Sequence, residues 1–143
     1  MALKQLSVVV SNEKGALAKV TRILADNGIN LRAMSIADTE HFGILRLIVT
    51  DTEKAMDTLK KAGCLTRITE VIGVKIGDQP GALSETLEIL NRAEVNLEYL
   101  YAFCARTEKH AYLMLRVRDI AVAERILTEA GKHLITDADV EKL

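Results

Sequence analysis

The chain reads as an α+β protein made of two tandem βαββαβ units, each an antiparallel sheet with its helices on one face. Three observations predict this. Residues 11–31 and 77–97 are identical at seven of twenty-one positions, where composition alone gives roughly one or two. The match resumes further on at an offset of 68, aligning Asp51 with Asp119, Ala55 with Ala123, Leu59 with Leu127, and Ala62-Gly63 with Ala130-Gly131. Within each half, the apolar residues switch between strand and helix periodicity in the same order. The repeat sets the domains at 1–70 and 71–143.

Each element has its own signal. Leu6, Val8 and Val10 alternate along a first strand, and residues 11–15 turn the chain at Gly15. A helix is predicted over 16–27, with Leu17, Val20, Ile23 and Leu24 on one stripe and Asn27-Gly28 as its stop. A second strand covers 30–37, the polar run Asp38-Thr39-Glu40-His41 reverses the chain, and a third strand covers 43–50. Asp51 and Thr52 are helix-capping types. Ala55, Met56, Leu59 and Ala62 make the stripe of a second helix that Gly63 ends, and a last strand covers 66–71. The second half repeats this order from Val71 to 139. The span 65–76 has no clear turn, so one half runs almost directly into the next, with Gly73 as the expected bend. The order is the split βαβ, ferredoxin-like arrangement, with helices on one face of the sheet.

Aligning the halves separates the two faces of each sheet. Leu6, Val8 and Val10 match Ile72, Val74 and Ile76, while Leu45, Leu47 and Val49 match Leu113, Leu115 and Val117. These sets are expected to face the helices. The opposite face carries Ile44, Arg46 and Ile48 in one half, and Tyr99, Tyr101, Phe103, Tyr112, Met114 and Arg116 in the other. A solvated sheet face is mostly polar. This one holds four of the chain's five aromatic residues, which marks a contact surface. It serves either as sheet-on-sheet packing between halves or subunits, or as the aromatic wall of a ligand pocket. Units this small have modest cores. A homo-oligomer, a dimer through the apolar outer sheet face, is therefore expected.

Composition and missing motifs exclude several functions. A net charge of −1 argues against nucleic acid as a partner. Tyr99, Tyr101 and Phe103 lie on the second strand, whereas RNA-binding platforms of this fold use the first and third. No apolar run approaches the length of a membrane span, and the opening Met-Ala-Leu-Lys-Gln-Leu-Ser is no signal peptide. Cys64 and Cys104 occupy non-equivalent repeat positions, which fits reduced thiols and a cytoplasmic location. Cys104 falls in a core register, as a buried structural thiol. His41 and His110 are read as exposed hairpin residues, and His133 as a cation just behind a helix C-terminus. There is no His-Glu-x-x-His, Cys-x-x-Cys, Gly-x-Ser-x-Gly or P-loop, so no metal, cofactor or catalytic residue is expected.

The repeated strand–turn–helix loop is the candidate site. It reads Asn12-x-x-Gly15-x-Leu17 in the first half and Asp78-x-x-Gly81-x-Leu83 in the second. Glycine lets a ligand approach the backbone closely. The helix behind it presents unpaired N–H groups and a partial positive charge, which suit a carboxylate. Asn12 or Asp78 could cap the helix, or meet an ammonium through side-chain oxygen. Asn or Asp with Gly is equally the chemistry of a plain tight turn.

With these loops the chain resembles a tandem pair of ACT domains, small regulatory βαββαβ modules that bind amino acids. Their Asp/Asn-x-Pro-Gly-x-Leu signature is similar to Asp78-Gln79-Pro80-Gly81-Ala82-Leu83, and the first-half loop has Lys14 in place of Pro. A following Gly-(Ile/Val)-Asn-(Ile/Leu) element is similar to Gly28-Ile29-Asn30-Leu31, and the second half has Glu94 in place of Gly. The resemblance runs from Leu6 to Asp139 and leaves over no catalytic domain. It implies a ligand where two modules meet, held by Asn12, Gly15, Ala16 and Leu17 with Asn30 and Leu31, and by Asp78, Gly81, Ala82 and Leu83 with Asn96 and Leu97. The implied function is a sensor of a free amino acid, signalling through assembly or a separate protein. The alternative is a regulatory subunit acting mainly through contact with a separate metabolic enzyme. Lys14 against Pro80, Asn12 against Asp78 and Gly28 against Glu94 imply that the two loops are unequal. Asn12 carries no charge to oppose a carboxylate, so the first loop is expected to be the better anion site.

Overall fold

Cross-strand pairing organises a computed structural model that describes residues 2–104 and 109–142. The chain divides into two units, one of residues 4–69 and one running from residue 70 onward together with residues 2–3. The first unit holds β1 (Leu3–Ser11), α1 (Ala16–Asp26), β2 (Leu31–Asp38), β3 (Phe42–Val49), α2 (Thr52–Lys61) and the opening of β4 (Thr66–Gly77). Its strands are ordered β2-β3-β1 and then β4. Val9 N–H donates to the Leu65 carbonyl at 3.0 Å beside β1.

The second unit continues along β4 into α3 (Ala82–Arg92), β5 (Leu97–Cys104), β6 (His110–Val117), α4 (Ile120–Glu129), β7 (His133–Ile135) and α5 (Asp137–Glu141). Its strands are ordered β5-β6-β4-β7. Each unit is therefore an antiparallel ferredoxin-type sheet with two main helices, as the periodicity predicts.

The registers explain the cores. Leu6 pairs with Leu47 and Val8 with Leu45, so all four point to one face. Ile72 pairs with Leu115 and Val74 with Leu113 in the same way. These residues pack with Leu24 and Leu59 in the first unit, and with Leu90 and Leu127 in the second. Each fully buried leucine contributes about 1.5–3 kcal/mol of hydrophobic stabilisation. Both second helices start on a carboxylate cap: Asp51 accepts from Lys54 N–H at 3.1 Å, and Asp119 from Val122 N–H at 3.2 Å.

Several expectations need correction. The junction at Gly73 is one uninterrupted strand, β4, rather than a strand, a bend and a strand. Glycine is required there because a Cβ would run into the Ile135 and Leu3 side chains. Glu94, standing where the first half has Gly28, does not change the helix before it, since α3 and α1 both have 11 residues. Instead it adopts φ 56°, the left-handed backbone that Gly28 takes at φ 70°. His110 is a half-buried residue of β6 rather than an exposed hairpin residue, whereas His41 is exposed between β2 and β3. His133 opens β7, and a short helix, α5, follows it. The Cys104 side chain lies outside the described residues.

The apolar outer face behaves differently in the two units. Tyr99, Tyr101 and Phe103 pair with Arg116, Met114 and Tyr112, so the aromatic residues do share one face. Phe103 and Tyr112 stack with ring centroids 5.3 Å apart. Yet Tyr112, Met114 and Tyr101 are buried within the single chain. In the first unit Val9 and Phe42, on the equivalent face, stay exposed, at 42% and 46%.

Candidate functional site

The first-half loop borders a cavity of about 530 Å³ lying within one unit. Three segments line it. The end of β1 supplies Val9, Val10 and Ser11, and the loop with the first turn of α1 supplies Glu13, Lys14, Gly15, Ala16, Lys19 and Val20. The chain leaving α2 supplies Ala62, Gly63, Cys64 and Leu65. The wall is therefore apolar on the sheet side and charged at the loop.

Gly15 is the N-cap of α1 at φ 84°, and no side chain caps the helix. A Cβ at Gly15 would meet nothing within 4 Å, so the demand for glycine is conformational and not steric. Ala16 N–H donates to the Glu13 carbonyl at 3.2 Å and closes the turn. It is thereby already engaged, and Leu17 and Ala18 follow it in the first turn, where helices leave N–H groups without intrahelical partners. Lys14 and Lys19 add two cations to the same wall.

Asn12 does not cap the helix. Its Nδ2 donates to the carbonyls of Thr39 and Glu40 at 3.3 and 3.4 Å, and its own N–H donates to His41 O at 3.1 Å. The side chain thus braces the loop against the β2–β3 hairpin, with the acceptor Oδ1 as its remaining polar atom. Leu17 packs against the core of the unit and does not line the cavity.

Asn30 and Leu31 stand apart from the loop. Asn30 N–H donates to Thr50 Oγ1 at 3.2 Å, its carbonyl accepts from Thr50 N–H at 3.1 Å, and Leu31 opens β2 opposite Val49. The 11 residues of α1 lie between Gly15 and Asn30, a separation of about 16 Å along the helix. The two signature elements of one half are not brought together within that half. The same holds for Gly81 and Asn96, which α3 separates, with Leu97 opening β5 opposite Val117.

The second-half loop keeps the backbone and changes the surroundings. Gly81 caps α3 at φ 94°, Ala82 N–H donates to Gln79 O at 3.2 Å, and Asp78 N–H donates to Lys109 O at 3.3 Å. Asp78 has no N–H in its side chain, so it cannot make the brace of Asn12. Gln79 folds its side chain over Gly77, occupying the space a Cβ there would fill. Ala82 is buried and Leu83 is exposed, whereas Ala16 and Leu17 are both half-buried.

The largest difference lies in residues that the motif did not flag. The counterparts of Lys19 and Cys64 are Glu85 and Lys132. Lys132 Nζ lies 2.9 Å from Glu85 Oε1, an ion pair joining the α3 first turn to the chain leaving α4. It spans the position whose first-half equivalent is cavity wall. The offsets of 66 and 68 already aligned these pairs, and a comparison of charge at aligned positions would have found them. Among the described residues no group of three or more His, Cys, Asp or Glu side chains can hold a metal, and no helix is long and apolar enough to cross a membrane.

Comparison with known proteins places this geometry in context. A family model described as an ACT domain pair matches residues 1–143. A solved structure of a protein from Bacteroides thetaiotaomicron is 37% identical, with a TM-score of 0.93 over 100% of this chain and 98% of that one. The regulatory subunit of aspartate kinase from Thermus thermophilus, in its ligand-free form, shares the fold at 17% identity, with a TM-score of 0.64 over 89% of this chain and 91% of that one. Its counterpart from Thermus flavus gives 17% and 0.62, with the same coverage. No curated protein sequence matches the chain.

Proposed function

The chain belongs to the ACT domain pair family, and we propose that it is a cytoplasmic regulatory protein that binds a free amino acid at an ACT–ACT interface through its Gly15 loop. The observation that carries this reading is the open, cation-lined cavity beside Gly15. The ligand carboxylate meets the N-terminal end of α1, in a wall that also carries Lys14 and Lys19. Glu13 and the Asn12 Oδ1 are acceptors for the ammonium. Because α1 holds Asn30 far from Gly15, the Asn of a module in a second copy of the chain is the one proposed to complete the site. Binding there ties ligand to assembly. A ligand at a hundredfold excess over its dissociation constant stabilises the bound form by about 2.7 kcal/mol. That is enough to shift a dimer equilibrium, and no catalytic step is involved.

The test is a thermal-shift series with the twenty amino acids at millimolar concentration. One or a few are expected to raise the melting temperature in proportion to the logarithm of concentration. Gly15→Asp, which strains the cap and sets a carboxylate in the cavity wall, is expected to abolish the shift; Gly81→Asp is expected to leave it. If no amino acid moves the transition, the sensor reading fails. The exposed Val9 and Phe42 favour a second reading, a regulatory subunit that docks a separate enzyme through its first half. Stoichiometric co-purification with such an enzyme, lost in Phe42→Ser, is its expected signature.

A further inference from the structure

We infer that the ligand of the Gly15 cavity is an acidic amino acid, one that brings a second carboxylate. This rests on the amino-acid reading above and narrows it. The argument starts from charge at equivalent positions. In the second unit Glu85 and Lys132 form an ion pair at 2.9 Å, with the Lys132 side chain only 16% exposed. In the first unit the same positions hold Lys19 and Cys64, and both line the cavity. The cation sits on the helix side, and the position equivalent to Lys132 holds Cys64 rather than a carboxylate.

A second cation reinforces the imbalance. Lys14 lines the same wall where the second unit has Pro80. Neither Lys14 nor Lys19 makes an ion pair among the described residues. Glu13 is the sole acid in the wall, so the lining carries a net charge of +1. An amino acid with a neutral side chain is a zwitterion. Its ammonium answers Glu13 and its carboxylate answers one lysine, leaving the other unanswered. An acidic amino acid carries one further negative charge and answers both lysines. The apolar floor of Val10 and Val20 suits its methylene stem, and the cavity, at about 530 Å³, has room for it.

The experiment is calorimetric titration of the whole chain at fixed ionic strength with L-aspartate, L-glutamate and their neutral isosteres L-asparagine and L-glutamine. The better acidic ligand is expected to bind roughly three- to tenfold tighter than its amide. The gap is expected to shrink as salt is raised. Lys19→Met and, separately, Lys14→Met are expected to weaken the acidic ligand more than its amide and so narrow the gap, a selective loss that general loss of structure does not produce. Equal or tighter binding of an amide or of L-leucine overturns the acidic assignment and leaves the amino-acid reading standing. Absence of binding by every amino acid overturns that reading, and this one with it.

Discussion

The Gly15 and Gly81 loops share a backbone and differ in almost everything that surrounds it. Both glycines cap an 11-residue helix in the left-handed region, at φ 84° and 94°. Both loops are closed by the same turn bond, from Ala16 to Glu13 and from Ala82 to Gln79, each at 3.2 Å. Around the first lie Lys14, Lys19 and Cys64 and an open cavity. Around the second lie Pro80 and an ion pair between Glu85 and Lys132, with Gln79 folded onto Gly77. A motif can therefore be kept for its turn geometry after the chemistry beside it has changed. The glycine reports the loop, and the charges at the aligned positions report what the loop can hold.

Exchanging those charges gives the largest expected effect. Lys19→Glu with Cys64→Lys builds the second-half ion pair into the first half. Ligand-dependent thermal shift is expected to vanish, while the melting temperature without ligand changes little, because exposed ion pairs contribute only about 0–1 kcal/mol. Retained binding in that double variant breaks the comparison.

Backbone differences come next. Gly73 aligns with Ser7, yet only Gly73 lies where a Cβ meets Ile135 and Leu3. Gly73→Ala is expected to cost about 1–3 kcal/mol in chemical denaturation, and Ser7→Ala about 0.5–1.5 kcal/mol through loss of the acceptor for buried Gln5 Nε2. The helix stops give a smaller contrast of opposite sign. Glu94 holds the left-handed backbone that Gly28 adopts without strain. Glu94→Gly is expected to stabilise by about 0.5–1 kcal/mol, the relief of strain being partly offset by the added freedom of the unfolded chain.

The smallest effect concerns α5, which follows β7 in the second half. Asp139 accepts from Thr136 N–H at 2.7 Å in a capping box. That backbone hydrogen bond, chiefly, holds its carboxyl below the usual carboxylate range. Its contribution is present above the ordinary carboxylate pKa and is lost as pH falls through the lowered one. The protection of α5 amides, measured against their intrinsic exchange rates, is expected to fall at acid pH before the rest of the chain responds, and Asp139→Asn is expected to remove that pH dependence.

By itself the sequence determined what depends on local periodicity and on the repeat. Alternation in Leu6, Val8 and Val10 and in Ile72, Val74 and Ile76 set the strands and their buried faces, because side chains alternate strictly along a strand. Asp51 announced the cap that it makes, and Gly15 the left-handed turn that it occupies. The tertiary structure decided what depends on distance between segments. It showed that α1 holds Asn30 away from Gly15, and that Asn12 braces a hairpin instead of capping a helix. It also showed that residues leaving α2, 43 or more positions along the chain from Val10, Gly15 and Lys19, share a cavity with them. Strand and helix patterns are written in neighbouring residues. A cavity is formed by segments that meet only after folding, and its charge belongs to whichever side chains arrive there.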